Sequence, residues 1–243
     1  MKRCYLVLVA CLCLTNCGWS QALVDEFNDG SINTSVWKTF YPSFGNSALT
    51  EGGGVMTFQN GAFLTTVNQF NNPTVSGRFS FTGWAYDRLK VIIRSNGSSI
   101  DPGWQTPISG IGIQFTPSSN PDYGSSKTIQ FWDFTTATQL ASAAVTINMN
   151  TFYDFRIVDN GNLVSVFLNN SVTPDFTYAT SLNYGSYVQI GNREQAAGFG
   201  PPPYYVKLDT ISVSASIPEP SSLSLLLIGV AGMASRRLLK RKD

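Results

Sequence analysis

Histidine is absent from all 243 residues. That removes Ser-His-Asp and Cys-His catalysis, histidine-bearing zinc sites and imidazole pH switching. The four cysteines are Cys4, Cys11, Cys13 and Cys17, all near the start. Downstream of them there is no disulfide, thiolate metal site or thiol chemistry to draw on. Charge is scarce, at 13% of residues. Any catalysis therefore falls to carboxylates or a bound hard cation, and stability falls to the core or a bound ion.

What is present begins with the two ends. Lys2 and Arg3 precede an apolar stretch from Tyr5 to Leu14, and Ser20-Gln21-Ala22 offers small residues for signal peptidase. Residues 1–22 read as a signal peptide, and the rest as exported. Cys17 after Leu14-Thr15-Asn16 leaves a lipoprotein signal as an alternative, which Asn16 disfavours. At the other end, Ser221 to Ala234 carries no charge. As a helix this run spans roughly 21 Å, short of the ~30 Å hydrocarbon core. Leu238 and Leu239 extend it if Arg236 and Arg237 snorkel, giving a short transmembrane helix over about 221–239. Basic residues outside both apolar segments leave the middle of the chain outside the cytoplasm.

Residues 23–216 form one domain. From 23 to 217 the chain has four Lys and five Arg against ten Asp and three Glu, a net −4. A mildly acidic surface excludes electrostatic nucleic-acid binding. Short β-type runs recur at 55–59, 63–67, 77–84, 89–94, 110–115, 127–134, 152–158, 163–169, 187–192 and 206–214, with Gly, Pro, Asn and Ser between them. No stretch within the domain keeps a 3.6-residue period. The pattern predicts an all-β sandwich or barrel. One hairpin can be placed: Asn160-Gly161 divides two strands, in keeping with a type I′ turn. Its core faces are Tyr153, Phe155 and Ile157, and Val164, Val166 and Leu168. Trp37 and Trp132, on strand patterns, read as core.

Two resemblances rest on these residues. Pro218-Glu219-Pro220, the apolar run and Arg236-Arg237 resemble the PEP-CTERM sorting signal, over 217–243. It implies processing by an exosortase, a membrane transpeptidase of Gram-negative bacteria that make exopolysaccharide. The membrane anchor is then transient, and the domain goes to the cell surface or extracellular matrix. The domain itself resembles the laminin G-like, concanavalin A-type jelly roll, which implies a two-sheet antiparallel β-sandwich. Its opening LVDEFNDGSINTSVW (23–37), the 152–169 hairpin and the closing pair VQIGN (188–192) and VKLDTISVS (206–214) carry the likeness.

Glycoside hydrolases on that fold use a Glu-x-Asp-x-x-Glu strand, whose paired glutamates support a retaining mechanism. Here Glu26, Glu51 and Glu194 stand alone, and strand 127–134 offers only Asp133. The domain is therefore expected not to be an enzyme. Binding is expected instead, through aromatic faces that stack on sugars. Trp84, Tyr86 and Arg88 at a strand end, Trp104 between prolines, and Tyr204-Tyr205 after GPPP are the candidate ligand residues. The jelly-roll resemblance implies a structural Ca2+ at Asp25, Glu26, Asp29 and Asp209, completed by carbonyls and water. The alternative is solvated carboxylates, or pairing with Lys207. The expected function is a non-catalytic module binding extracellular polysaccharide or a matrix protein. A purely structural surface protein stands next, and a divergent glycan-cleaving enzyme last.

Overall fold

The structure is a computed structural model that describes residues 22–41, 47–98, 109–192 and 205–215. Its strands are β1 (Ala22–Asp25), β2 (Trp37–Phe40), β3 (Ala48–Gly52), β4 (Val55–Gln59), β5 (Phe63–Thr66), β6 (Pro73–Phe81), β7 (Leu89–Ser95) and β8 (Ile111–Phe115). They continue with β9 (Ile129–Asp133), β10 (Thr138–Ala143), β11 (Tyr153–Asp159), β12 (Leu163–Leu168), β13 (Phe176–Ala179), β14 (Tyr187–Asn192) and β15 (Tyr205–Ala215). Among the described residues the only helical element is a 3-10 turn at Gly124–Ser126. All ten predicted runs are strands.

Two antiparallel sheets form the sandwich. The seven-stranded one runs β10-β9-β8-β7-β14-β5-β2. The eight-stranded one runs β13-β12-β11-β6-β15-β4-β3, with β1 added beside β15. Alternation along each strand sends one set of side chains between the sheets. Phe79 of β6 stacks on Phe115 of β8 at 5.0 Å between ring centroids. Phe81 and Phe155 lie within 6 Å of the same ring. This aromatic centre supplies the burial that an exported domain without disulfides depends on.

Both predicted faces of the β11–β12 hairpin point inward and are buried. Its turn differs from the type I′ expectation. Asp159 pairs with Val164, so four residues make the connection, and Gly161 (φ 91°) takes a positive φ while Asn160 does not. Asn160 Oδ1 instead accepts from the Asn162 and Leu163 amides at 3.2 and 2.8 Å. The asparagine thereby replaces one backbone turn with its side chain.

Besides a bulge in edge strand β10, two bulges bend the sandwich. Along β15, Leu208 faces Phe79 and Ile211 faces Gly77, so β15 carries one residue more than β6. Gly77 accommodates it; a Cβ there would lie 2.4 Å from the Thr210 carbonyl. Along β7, Ile92 faces Gln189 and Ser95 faces Tyr187, again one residue in excess. Arg94 sits in that bulge with φ 50°, a left-handed conformation costly for any residue that carries a Cβ. The bulge turns its guanidinium into the sandwich. There it grips Asp159 through two bonds of 2.7 and 2.6 Å and donates to the Leu182 and Gly161 carbonyls.

No helix among the described residues is long and apolar enough to cross a membrane. The expected C-terminal helix, together with Pro218, Glu219, Pro220, Arg236 and Arg237, lies outside the described residues, as does the signal segment up to residue 21.

Candidate functional site

The outward face of the seven-stranded sheet is the most developed surface of the fold. Strand register lines up Gln130, Gln114, Lys90, Gly191, Phe63 and Phe40 from β9 to β2. The next row is Trp132, Gly112, Ile92, Gln189, Thr65 and Lys38. An antiparallel sheet facing water carries exposed polar side chains there. Here Gln114, Gln130 and Gln189 are at most 2% exposed, and Phe63 and Ile92 are inaccessible.

Buried amides have to be bonded, and these are. Gln130 Oε1 accepts from Gln114 Nε2 at 3.0 Å and from the Trp132 indole at 2.9 Å. Gln130 Nε2 donates to the Lys127 carbonyl. Gln189 accepts from Ser95 and donates to Thr65 and the Ser98 carbonyl. The chain of bonds fixes each amide in one orientation. Glycine shapes the row between them: a Cβ at Gly191 would meet the Phe63 ring at 2.2 Å, so only glycine lets that ring lie flat on β14. The Lys90 ammonium sits 5.8 Å from the Phe63 centroid and 5.9 Å from that of Phe134, within cation–π range of both. The face thus combines a held cation, oriented amides and an aromatic wall of Trp132 and Phe134, stacked at 6.3 Å.

Sequence reasoning missed Lys90, Gln114 and Gln130. The available signal was a lysine inside the apolar run LKVIIR, and amides alternating with apolar residues on neighbouring strands. Trp132 is also corrected. It stands half-buried on the outer face, because β9 turns Ile129 and Phe131 inward and Trp132 the other way.

Trp84, Tyr86 and Arg88 all lie in the loop between β6 and β7 rather than on a strand, and the structure packs Trp84 on Tyr86. The two rings pack at 4.4 Å between centroids. Arg88 pairs with Asp122 at 2.7 Å and lies over the Tyr123 ring. Buried Asp87 holds the loop by accepting from the Gly83 and Trp84 amides at 3.1 Å. Tyr205 meets the loop through its carbonyl, which accepts from the Thr82 amide. Trp104 and Tyr204 lie outside the described residues.

The four expected calcium carboxylates are not gathered. Asp25 accepts from the Trp37 indole and the Phe27 amide, and Glu26 from Asn28. The β15 bulge turns Asp209 to Arg78, at 3.1 Å, not to Lys207. Among the described residues no group of three or more acidic side chains could hold a metal. Asp29 meets Glu51 instead. Partial burial, then the hydrogen bond to Asp29, raises the Glu51 carboxyl above its usual range. The Ser31 amide and the bond from Glu51 lower Asp29. A raised folded-state carboxyl stabilises below its unfolded value and loses that contribution as pH rises through the folded one. Glu51→Gln is therefore expected to raise the melting temperature at pH 7 by about 1–2 °C and to leave it unchanged near pH 4. An equal shift at both pH values would contradict the raised Glu51 carboxyl.

Solved structures with the same fold include a β-glucanase of Bacillus licheniformis (TM-score 0.57, 14% identity, 83% of this chain and 100% of that one). A prokaryotic β-1,3-1,4-glucanase (lichenase) from a mouse hindgut metagenome gives 0.58, 11%, 81% and 100%. The catalytic domain of an endo-1,3-β-glucanase (laminarinase) from Thermotoga petrophila RKU-1 gives 0.55, 11%, 82% and 99%. At these identities the likeness establishes the jelly-roll fold, with which the laminin G-like resemblance is compatible. No curated protein matches the chain. Residues 216–242 match the PEP-CTERM protein-sorting motif, which carries exosortase-dependent export and surface association in Gram-negative bacteria. Residues 18–197 match a domain described by a lyase activity, and this overturns the expectation that the domain is not an enzyme. That expectation tested for one pair of carboxylates, and a lyase does not need a hydrolase's pair. Since the match spans most of the sequence, the chain belongs to the 3-keto-alpha-glucoside-1,2-lyase-like domain family.

Proposed function

We propose that this chain is an exported glycan-cleaving enzyme that breaks the glycosidic bond of a ketone-bearing glucoside by elimination, on the outer face of the seven-stranded sheet. The observation that carries this reading is the row Gln130–Gln114–Lys90 beside Trp132 and Phe134. It supplies a cation, oriented amides and a stacking tryptophan.

A ketone at C3 acidifies the C2 proton. A base removes it, and the electron pair moves onto the C3 oxygen as an enolate. The enolate then collapses to a C1–C2 double bond and expels the C1 oxygen, which takes up a proton. No water is consumed, and no second carboxylate is needed as nucleophile. The demand on the protein is to stabilise the enolate oxygen in a dry, preorganised setting. Lys90 serves that purpose, and half-buried Trp132, backed by buried Phe134, orients the sugar ring. The extracellular polysaccharide expected as a partner then becomes the source of substrate rather than a passive ligand.

The test is to incubate the purified chain with 3-keto-α-glucosides and with their unoxidised parents. Elimination yields a conjugated enone, seen as new ultraviolet absorbance that accompanies release of the leaving alcohol from the keto form alone. New reducing ends without the enone would replace elimination by hydrolysis. No cleavage of any glucoside by the folded protein would overturn the proposal.

A further inference from the structure

The opposite face of the sandwich holds a second feature. A groove of about 460 Å³ opens on the eight-stranded sheet, between β1, β15, β6, β11 and β12. That volume falls within the range of small-ligand sites. The β15 bulge forms it by lifting Thr210 away from the regular ladder, as bulges do beside binding sites.

Its walls carry groups of both signs. Glu26 and Asp154 supply carboxylates and Arg156 a guanidinium. Asp154 is held from two sides, by Asn170 Nδ2 at 3.2 Å and by Arg78 at 3.8 Å, so its oxygens are positioned before any ligand arrives. The Arg156 guanidinium lies 3.8 Å from the centroid of the Phe167 ring, forming a flat platform on one side. Val24, 67% exposed, gives the other side an apolar wall. Ser212 adds a hydroxyl.

We propose that this groove binds a neutral glycan chain, at a site separate from the Lys90 face. Mixed charge argues against an anion or a cation, either of which would be repelled by half the lining. A sugar ring answers every feature: its C–H face lies on Phe167 and Arg156, and its vicinal hydroxyls reach carboxylate, amide and hydroxyl partners that both donate and accept. The groove lies on the other sheet from Lys90, so a polymer held here leaves the proposed catalytic face open.

Binding is measured by titration calorimetry of the exported chain with laminaripentaose and maltopentaose, with no turnover required. Failure here is thus distinct from failure of the catalytic reading. Phe167→Ala and Asp154→Asn are each expected to weaken binding about tenfold without changing the melting temperature or cleavage of a small keto-glucoside. Ser212→Trp fills the groove without removing a core group and is expected to abolish binding. The proposal is overturned by any of three results. These are no glycan binding to the folded protein, binding that survives Ser212→Trp but is lost in Lys90→Met, and binding of a lysine-rich peptide in place of the glycans.

Discussion

Lys90→Met is expected to lower turnover of a 3-keto-glucoside by about 10²–10³-fold, the cost of removing one preorganised oxyanion partner. The side chains are close in length, so the methylene stem keeps its packing beside Phe63 and Phe134 while the ammonium is lost. Two readouts separate chemistry from folding. The melting temperature of Lys90→Met should stay near that of the parent, and its loss should fall on kcat rather than on KM. Lys90→Arg should retain an intermediate rate, since charge persists on a group of different geometry. Full activity in Lys90→Met would remove the outer face of the seven-stranded sheet as the reaction site.

The second large effect concerns stability. Arg94→Met and Asp159→Asn are each expected to cost about 3–5 kcal/mol, because either change strands the other partner of a buried ion pair. Both side chains are almost wholly inaccessible, at 5% and 0% exposure, so water cannot replace the lost partner. Arg94→Met also orphans the Leu182 and Gly161 carbonyls and should lie at the upper end. The double variant should recover part of the loss, as a methionine beside an asparagine leaves no charge uncompensated. Chemical denaturation reads this directly as a fall in the midpoint at constant slope. A loss below about 1 kcal/mol would mean that the pair is solvated as a surface bridge is.

Each of the ten strands legible in the sequence buries at least two apolar side chains, and each missed strand at most one. Five others were missed, and their places explain why. β3 and β13 close the eight-stranded sheet, and β10 and β2 close the seven-stranded one; β1 is added outside the main path. Each has a neighbour on one side only. In TQLASA of β10 no residue is fully buried, so the alternation that betrays a strand was never imposed on it. The site was legible in part. Trp84 and Tyr86 pack on each other because they belong to one short loop, while Arg88 of the same loop pairs with Asp122. Lys90, Gln114 and Gln130 come from three strands spread over forty residues, and only register brings them into one row. Periodicity cannot report register between strands, and β7 hides its role further with a bulge that breaks its own alternation at Arg94.

The position of β15 bears on the order of events during secretion. This last described strand lies inside its sheet, with β6 along one side and both β4 and β1 along the other. Its final residue, Ala215, pairs with Pro73 and directly precedes the sorting motif at 216–242. Until residues 205–215 have emerged from the export channel, the strands on either side have no bridge and the sandwich cannot close. Maturation therefore waits for translocation to reach the sorting tail. Closing of the sandwich and reading of the sorting signal by the exosortase are thereby set to follow one another closely, because the finishing strand and the motif are contiguous in the chain.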